Sequence, residues 1–150
     1  MSRDHRKLRV FQHADGLVAS VYRLTAEFPA DERYSLRAQI RRAALSVPTN
    51  IVEGSARSGC SEYCYFLQIA HGSARECEYL LELAARLRFV ETVEAHALAA
   101  SYNRLNGMLL TMLKTLRNEI PPNRPSAHKG RRLPQDATRR GPTSKSPDPE

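Results

Sequence analysis

Residues 41–57 read RRAALSVPTNIVEGSAR, and the apolar residues in and around this stretch have helical spacing on two different sides. With about 100° per residue, one side predicts a face that packs inside a helical bundle. The other side lies about 160° away and consists of Ala38, Leu45, Val52 and Ala56, flanked by Pro48 and Thr49. A single chain would leave this second stripe in water, so we predict that Leu45, Pro48, Thr49, Val52 and Ala56 form an interface between copies. Scattered apolar surface residues are the ordinary alternative.

Three other segments show the same helical periodicity, and the alternation typical of strands is absent. We predict helices over about residues 8–27, 31–57 and 62–88, and a fourth from Thr92 to just before Pro121. Asp31 and Ser61 are the predicted N-caps of the second and third helices. Short links between long amphipathic helices predict an all-α, up-and-down antiparallel four-helix bundle over residues 1–120.

The last thirty residues have a different composition. Residues 121–150 hold seven of the nine prolines and no aromatic residue, which predicts a disordered tail. They carry +4 of the total formal charge of +7, which leaves a mild +3 on residues 1–120. Basicity by itself therefore supports an anionic partner only weakly, although Arg131 and Arg132 in the tail could add diffuse phosphate contacts.

The sequence carries no clear signal for a membrane span, a disulfide framework or a metal site. No run approaches the ~20 apolar residues that span a bilayer, so a cytoplasmic protein without a membrane partner is expected. The three cysteines have neither the number nor the spacing of a disulfide framework. Cys60, Cys64 and His71 lack a clear fourth ligand, so we predict neither a metal site nor a cofactor.

A polar row separates the two apolar sides of the second helix, and it consists of Gln39, Ser46, Asn50, Glu53 and Arg57. Glu76 on the third helix lies among apolar positions, so we expect it to be partly buried and partnered by Arg42 or Arg57. The favoured interpretation is a polar network of Gln39, Asn50, Glu53, Arg57 and Glu76 that fixes helix register and subunit docking. The alternative is a metal-dependent active site using Glu53 or Glu76 as a base. No histidine, nucleophile or metal motif accompanies these carboxylates, so we do not expect an enzyme.

Basic residues also follow a helical pattern. Arg33, Arg37 and Arg41 are spaced four apart, Arg42 is adjacent, and Arg75 falls on the polar side of the third helix. A ring of subunits would multiply these positions into a positive surface for the phosphates of structured RNA. An ordinary solvated helix face is the competing interpretation. No sequence-reading motif is present, so recognition would rest on shape and charge.

Five short motifs together resemble a known bacterial family. They are Phe28-Pro29, Tyr34-x-Leu36, QIRRAA at residues 39–44, SVPxNIxEG at residues 46–54, and FLxIAxGSxxE at residues 66–76. Across about residues 8–118 the chain is similar to the four-helix bundle proteins encoded in intervening sequences of 23S ribosomal RNA genes. Val52 stands where that pattern more often has a small residue, and the tail is an extension of it.

The resemblance implies a homopentameric, barrel-like ring of four-helix bundles, in agreement with the two-sided second helix. It also implies a remote kinship with the accessory variability determinant of diversity-generating retroelements, a ring that binds RNA and a reverse transcriptase. The family has no catalytic residues that could be transferred to this chain. The resulting hypothesis is a non-enzymatic RNA- or ribonucleoprotein-binding oligomer, and the alternative is a protein-interaction scaffold such as a reverse-transcriptase accessory subunit.

Overall fold

The structure, a computed structural model, describes residues 4–119 of the 150-residue chain. It contains four α-helices and, within those residues, no strand; the helices are α1 (Arg9–Ala26), α2 (Leu36–Ser55), α3 (Cys60–Arg86) and α4 (Thr92–Glu119). Each helix packs against its neighbour in sequence and α1 packs against α4, whereas the two diagonal pairs do not pack within the described region. This closed arrangement is the predicted four-helix bundle. The predicted tail, with Arg131 and Arg132, lies outside the described residues.

The core is formed by the helix faces that periodicity predicts. The predicted inner face of α2 is entirely buried, namely Leu36, Ile40, Ala43, Ala44, Val47 and Ile51. From the other helices the largest fully buried apolar side chains are Val21, Tyr63, Leu67, Leu81, Tyr102, Leu105 and Leu109. Among residues 4–119, no helix combines the length and apolarity needed to cross a membrane.

Gly54 marks the closest approach of α2 to α3. A Cβ atom built at Gly54 would lie 2.8 Å from the Phe66 Cβ and 3.0 Å from the Tyr63 ring. The first distance is shorter than real Cβ contacts and the second is tight, so glycine is the residue that permits this helix spacing without a shift. The equivalent positions at Gly72 on α3 and Gly107 on α4 have nothing within 4 Å. Close helix approach therefore explains the glycine at position 54 and does not explain Gly72 or Gly107.

Pro48 lies inside α2 without interrupting it. Proline supplies no N–H, so the carbonyl of Ala44 loses its usual helical donor. Side chains add donors to the adjacent carbonyls: Thr49 Oγ1 donates to Leu45 O at 2.8 Å, and Asn50 Nδ2 donates to Ser46 O at 2.7 Å. The turn before the proline is thus supported by side chains as well as by the backbone.

Two predicted helix caps are wrong. Asp31 does not cap α2, because residues Ala30–Tyr34 form a 3-10 turn and α2 begins after Ser35. The Glu32 carboxylate instead accepts a hydrogen bond from Leu36 N at 3.1 Å, which satisfies one free donor at the helix start. Ser61 lies within the first turn of α3, whose N-cap is Gly59.

The link from α3 to α4 begins with a left-handed residue. Arg88 has φ of 59°, a conformation in which glycine is usual. Its N–H bonds to Ala85 O at 3.0 Å, and the N–H of Phe89 reaches back to Ala84 O at 3.0 Å. This pair of bonds is a Schellman motif, which ends α3 and turns the chain toward α4.

Candidate nucleic-acid interface

The corner between α1 and α2 is built by an aromatic anchor followed by proline. The Phe28 side chain is buried and packs against the Phe89 ring, with ring centroids 5.8 Å apart. Pro29 then excludes a helical conformation for the residue before it, and the 3-10 turn Ala30–Tyr34 leads into α2. This geometry brings the first turns of α2 alongside the end of α1.

Two of the predicted RNA-contacting arginines are bonded to the end of α1 and to the corner that follows it. Arg37 Nη2 donates to Phe28 O at 2.7 Å. Arg41 Nε donates to the buried Thr25 hydroxyl at 2.8 Å, and its Nη2 lies 3.3 Å from Tyr22 O. The Arg41 guanidinium also stacks 4.5 Å from the centre of the Tyr22 ring. Both arginines therefore hold α1 against α2, a role that residue spacing alone did not predict.

The same arginines line a groove, which we call the basic groove. It has a volume of about 660 Å³, and its charged or aromatic lining residues are Arg33, Tyr34, Arg37, Arg41 and Phe28. No acidic residue lines it, although Glu32 lies nearby at the start of α2. The structure thus brings together three of the five described arginines that were predicted to bind nucleic acid.

The other two described arginines lie elsewhere. Arg42 is exposed and donates to the Gln39 side chain. Arg75 is exposed on α3 and forms an ion pair with Glu78 at 2.9 Å. Neither lines the basic groove, so the predicted set divides into a clustered part and a scattered part.

The predicted polar network lies between α2 and α3 and has three separate parts. Gln39 bridges Arg42 to Glu76, so Arg42 reaches the carboxylate only through that amide. The second part lies further along α2. The Ser46 and Ser73 hydroxyls are 2.8 Å apart, and Asn50 Nδ2 donates to Ser46 Oγ at 3.0 Å.

The third part is an ion pair at the C-terminal end of α2. Arg57 pairs with Glu53, and its guanidinium lies 4.9 Å from the centre of the Phe66 ring. Phe66 and Glu76 are ten residues apart on α3, a helical rise of about 15 Å. Glu53 and Glu76 therefore do not converge on one site. No group of three His, Cys, Asp or Glu side chains among residues 4–119 is arranged to hold a metal ion.

The predicted interface stripe is partly exposed in the single chain. Leu45 is 41% exposed, Thr49 and Ala56 are exposed, and Val52 is half-buried. Pro48 differs from the prediction because it is already buried within one chain and offers little surface to a partner. On α3, Tyr65 and Ile69 are exposed as well, at 60% and 36%. We call Leu45, Val52, Tyr65 and Ile69 together the α2–α3 apolar surface.

Shifted pKa values occur at buried groups and do not create a nucleophile. Burial raises the pKa of the Cys77 thiol to about 12, so the reactive thiolate is suppressed. Burial also raises the pKa of the neighbouring Tyr102 hydroxyl. The pKa of His71 is lowered by partial burial and by the charge of Arg75.

The chain also matches a known protein family. Residues 6–111, most of the described chain, match the profile of the 23S rRNA-intervening sequence protein family. The chain belongs to this family. No curated protein matches the chain.

A solved structure has the same fold as this 23S rRNA-intervening sequence family member. It is a protein of unknown function from the S23 ribosomal protein family of Bacteroides thetaiotaomicron VPI-5482. The two sequences are 22% identical, the match covers 70% of this chain and 98% of that one, and the TM-score is 0.66. At this identity the likeness concerns the fold alone.

The sequence pattern of this family member did not predict the hydrogen-bonded cluster around Glu78 on α3. Its carboxylate is 16% exposed and accepts from Arg75 at 2.9 Å, from Asn103 at 2.9 Å and from the buried Asn106 at 3.3 Å. A signal was available, because Asn106 lies four residues after Tyr102 on the buried stripe of α4 and a buried amide requires a partner. Glu78 thereby joins α3 to α4 as the arginines join α1 to α2.

Proposed function

We propose that this chain is a non-enzymatic, cytoplasmic homo-oligomer that binds structured RNA or a ribonucleoprotein through the basic groove. The observation that carries the proposal is the gathering of Arg33, Arg37 and Arg41 around one groove without an acidic lining residue. Guanidinium groups recognise phosphate by charge and by several donors in a fixed plane. The family's connection with ribosomal RNA genes agrees with an RNA partner, and family membership by itself assigns none.

Preorganisation favours this groove over the scattered arginines. Arg37 is held by its bond to Phe28 and Arg41 by its bond to Thr25, so a ligand would not need to order two flexible side chains. Each guanidinium has five N–H donors, and the bonds to Phe28, Thr25 and Tyr22 use one donor of Arg37 and two of Arg41. Arg37 Nε is buried, so the donors left for a ligand are the other terminal N–H groups of the two side chains.

Self-association is the second element of the proposal. The α2–α3 apolar surface leaves four apolar side chains partly or largely in water, beside the polar network that joins the two helices. Covering this surface with a second copy would remove apolar area from water and enclose the network. We propose the ring of five subunits that the family resemblance implies, which would place several basic grooves on one particle.

The RNA test uses arginines that do not hold the fold together. Arg33→Glu should weaken binding of a structured RNA and lower the slope of log Kd against log salt by about one, because one phosphate contact is lost. Arg117→Glu, an exposed position in the last turn of α4, makes the same charge change as a control. Equal loss in both variants would mean that only net charge matters. Absence of binding to any structured RNA would contradict the proposal and leave the protein-scaffold alternative.

Light scattering after size-exclusion chromatography tests assembly. The double variant Leu45→Asp/Val52→Asp should dissociate the oligomer while circular dichroism shows that helix content is retained. Val93→Asp is the control, because Val93 is 80% exposed at the start of α4. A monomeric wild-type protein at micromolar concentration would contradict the assembly, and loss of helicity in the double variant would place these residues in the monomer core.

A further inference from the structure

Tyr34 is the most exposed large apolar side chain in the described part of the chain. It is 86% exposed at the end of the 3-10 turn Ala30–Tyr34, on the rim of the basic groove. Its ring contact within the chain is with Arg33, whose guanidinium carbon lies 5.6 Å from the ring centre. An aromatic ring left this open gains little for folding. Core packing therefore does not account for Tyr34, and one face of its ring is open to a ligand.

An open ring beside phosphate-binding donors is the arrangement that binds unpaired nucleotides. Every base has a flat π face that stacks on an aromatic side chain, whereas bases inside a duplex are already stacked and cannot do so. Arg37 and Arg41 also line the groove, and their hydrogen bonds to Phe28 and Thr25 hold them in place. A volume of about 660 Å³ is within the range of small-ligand sites.

We infer that the basic groove receives one unpaired nucleotide of an RNA, with the base stacked on Tyr34 and its phosphate at Arg37 and Arg41. Arg33 already lies over the Tyr34 ring and supports it from the face that the base does not use. This inference rests on the proposed RNA binding and narrows it to loops, bulges or single-stranded ends. It makes Tyr34 a specificity residue, because charge alone would bind a duplex equally well.

The experiment compares two RNAs of equal phosphate number by fluorescence anisotropy. One is a hairpin with an unpaired loop, and the other is a blunt duplex whose stem is lengthened until its phosphate number equals that of the hairpin. Tyr34→Ala should weaken hairpin binding by about 5- to 100-fold, the loss expected for one stacked base, and leave duplex binding unchanged. Tyr34→Phe keeps the ring and should bind like the wild type. Tyr79→Ala removes another exposed tyrosine, at 55% exposure on α3, and is the matched control.

Three outcomes would overturn the inference, and each has a different cause. If Tyr34→Ala binds both RNAs as the wild type does while Arg33→Glu weakens both, the RNA proposal stands without a nucleotide site. If no RNA binds to the wild-type protein, the proposed function fails as well. If Tyr34→Ala dissociates the oligomer in light scattering, the Tyr34 side chain is a contact between copies of the chain. A hairpin with 4-thiouridine in its loop provides a positive test. Its photo-crosslinking to the peptide that contains Tyr34 would support the inference.

Discussion

Replacing Gly54 with alanine tests the close packing of α2 against α3. The added Cβ would meet Phe66 Cβ at 2.8 Å and the buried Tyr63 ring at 3.0 Å. Ordinary contact between carbon atoms is about 3.5–4.0 Å, so the helices would have to separate by nearly one ångström. Neither neighbouring atom is the far end of a flexible side chain that could simply rotate away.

The magnitude follows from two opposing effects. Overpacking a filled core costs about 1–3 kcal/mol, and two clashes with firmly placed atoms put Gly54→Ala in the upper part of that range. Alanine gains about 1 kcal/mol over glycine inside a helix. The net expectation is a loss of about 1–2 kcal/mol of unfolding free energy. Gly107→Ala on α4 receives the same propensity gain with nothing within 4 Å, so it should stabilise by up to about 1 kcal/mol.

Urea unfolding followed by circular dichroism at 222 nm measures both variants. Protein concentration must be equal in all samples, because assembly adds to apparent stability by mass action. Opposite signs for the two glycines are the expected result. If Gly54→Ala stabilises the protein as much as Gly107→Ala does, the helices are not packed as closely as described, and the explanation of Gly54 is wrong.

Three further predictions concern buried groups. In the folded protein the Cys77 thiol should react with iodoacetamide far more slowly than the partly exposed Cys60 thiol, and unfolding in urea should abolish the difference. Because the folded pKa of Cys77 is about 12 against an ordinary 9.0, the unfolded chain loses this proton first as pH rises. Stability should therefore fall above about pH 9, and Cys77→Ala should flatten that dependence; an unchanged slope would exclude Cys77 as the cause. Glu78→Ala should cost about 1–3 kcal/mol in urea unfolding because it leaves the buried Asn106 amide without its acceptor. The exposed Glu82→Ala should change stability by less than about 0.5 kcal/mol, and equal effects would remove the special role of Glu78.

Helical periodicity predicted the four helices and the buried face of α2, because both depend on spacing within one segment. It could not predict which neighbour a polar side chain meets. Arg37 and Arg41 were correctly placed on one stripe, yet their bonds to Phe28 and Thr25 depend on how α1 approaches. The same limit applies to Glu76, whose contact with Arg42 runs through Gln39.

Helix starts were less predictable for a different reason. Asp31 and Ser61 are residues that favour N-cap positions, but intrinsic preference is worth only about 1 kcal/mol. The 3-10 turn after Pro29 moved the start of α2 beyond Asp31 and gave the capping role to the Glu32 side chain. Helical spacing could not identify the protein family. The short motifs did so, and the family match over residues 6–111 confirms that prediction.

The proline in α2 has a consequence for how this helix can change over evolution. In a regular helix the carbonyls are satisfied by backbone N–H groups, which no substitution except proline can remove. Around Pro48 the side chains of Thr49 and Asn50 add donors to the carbonyls next to the one that the proline leaves without its backbone donor. Part of the support of α2 around Pro48 therefore depends on exchangeable side chains, so single substitutions at Thr49 or Asn50 could alter this turn of the helix while the core beneath it stays the same.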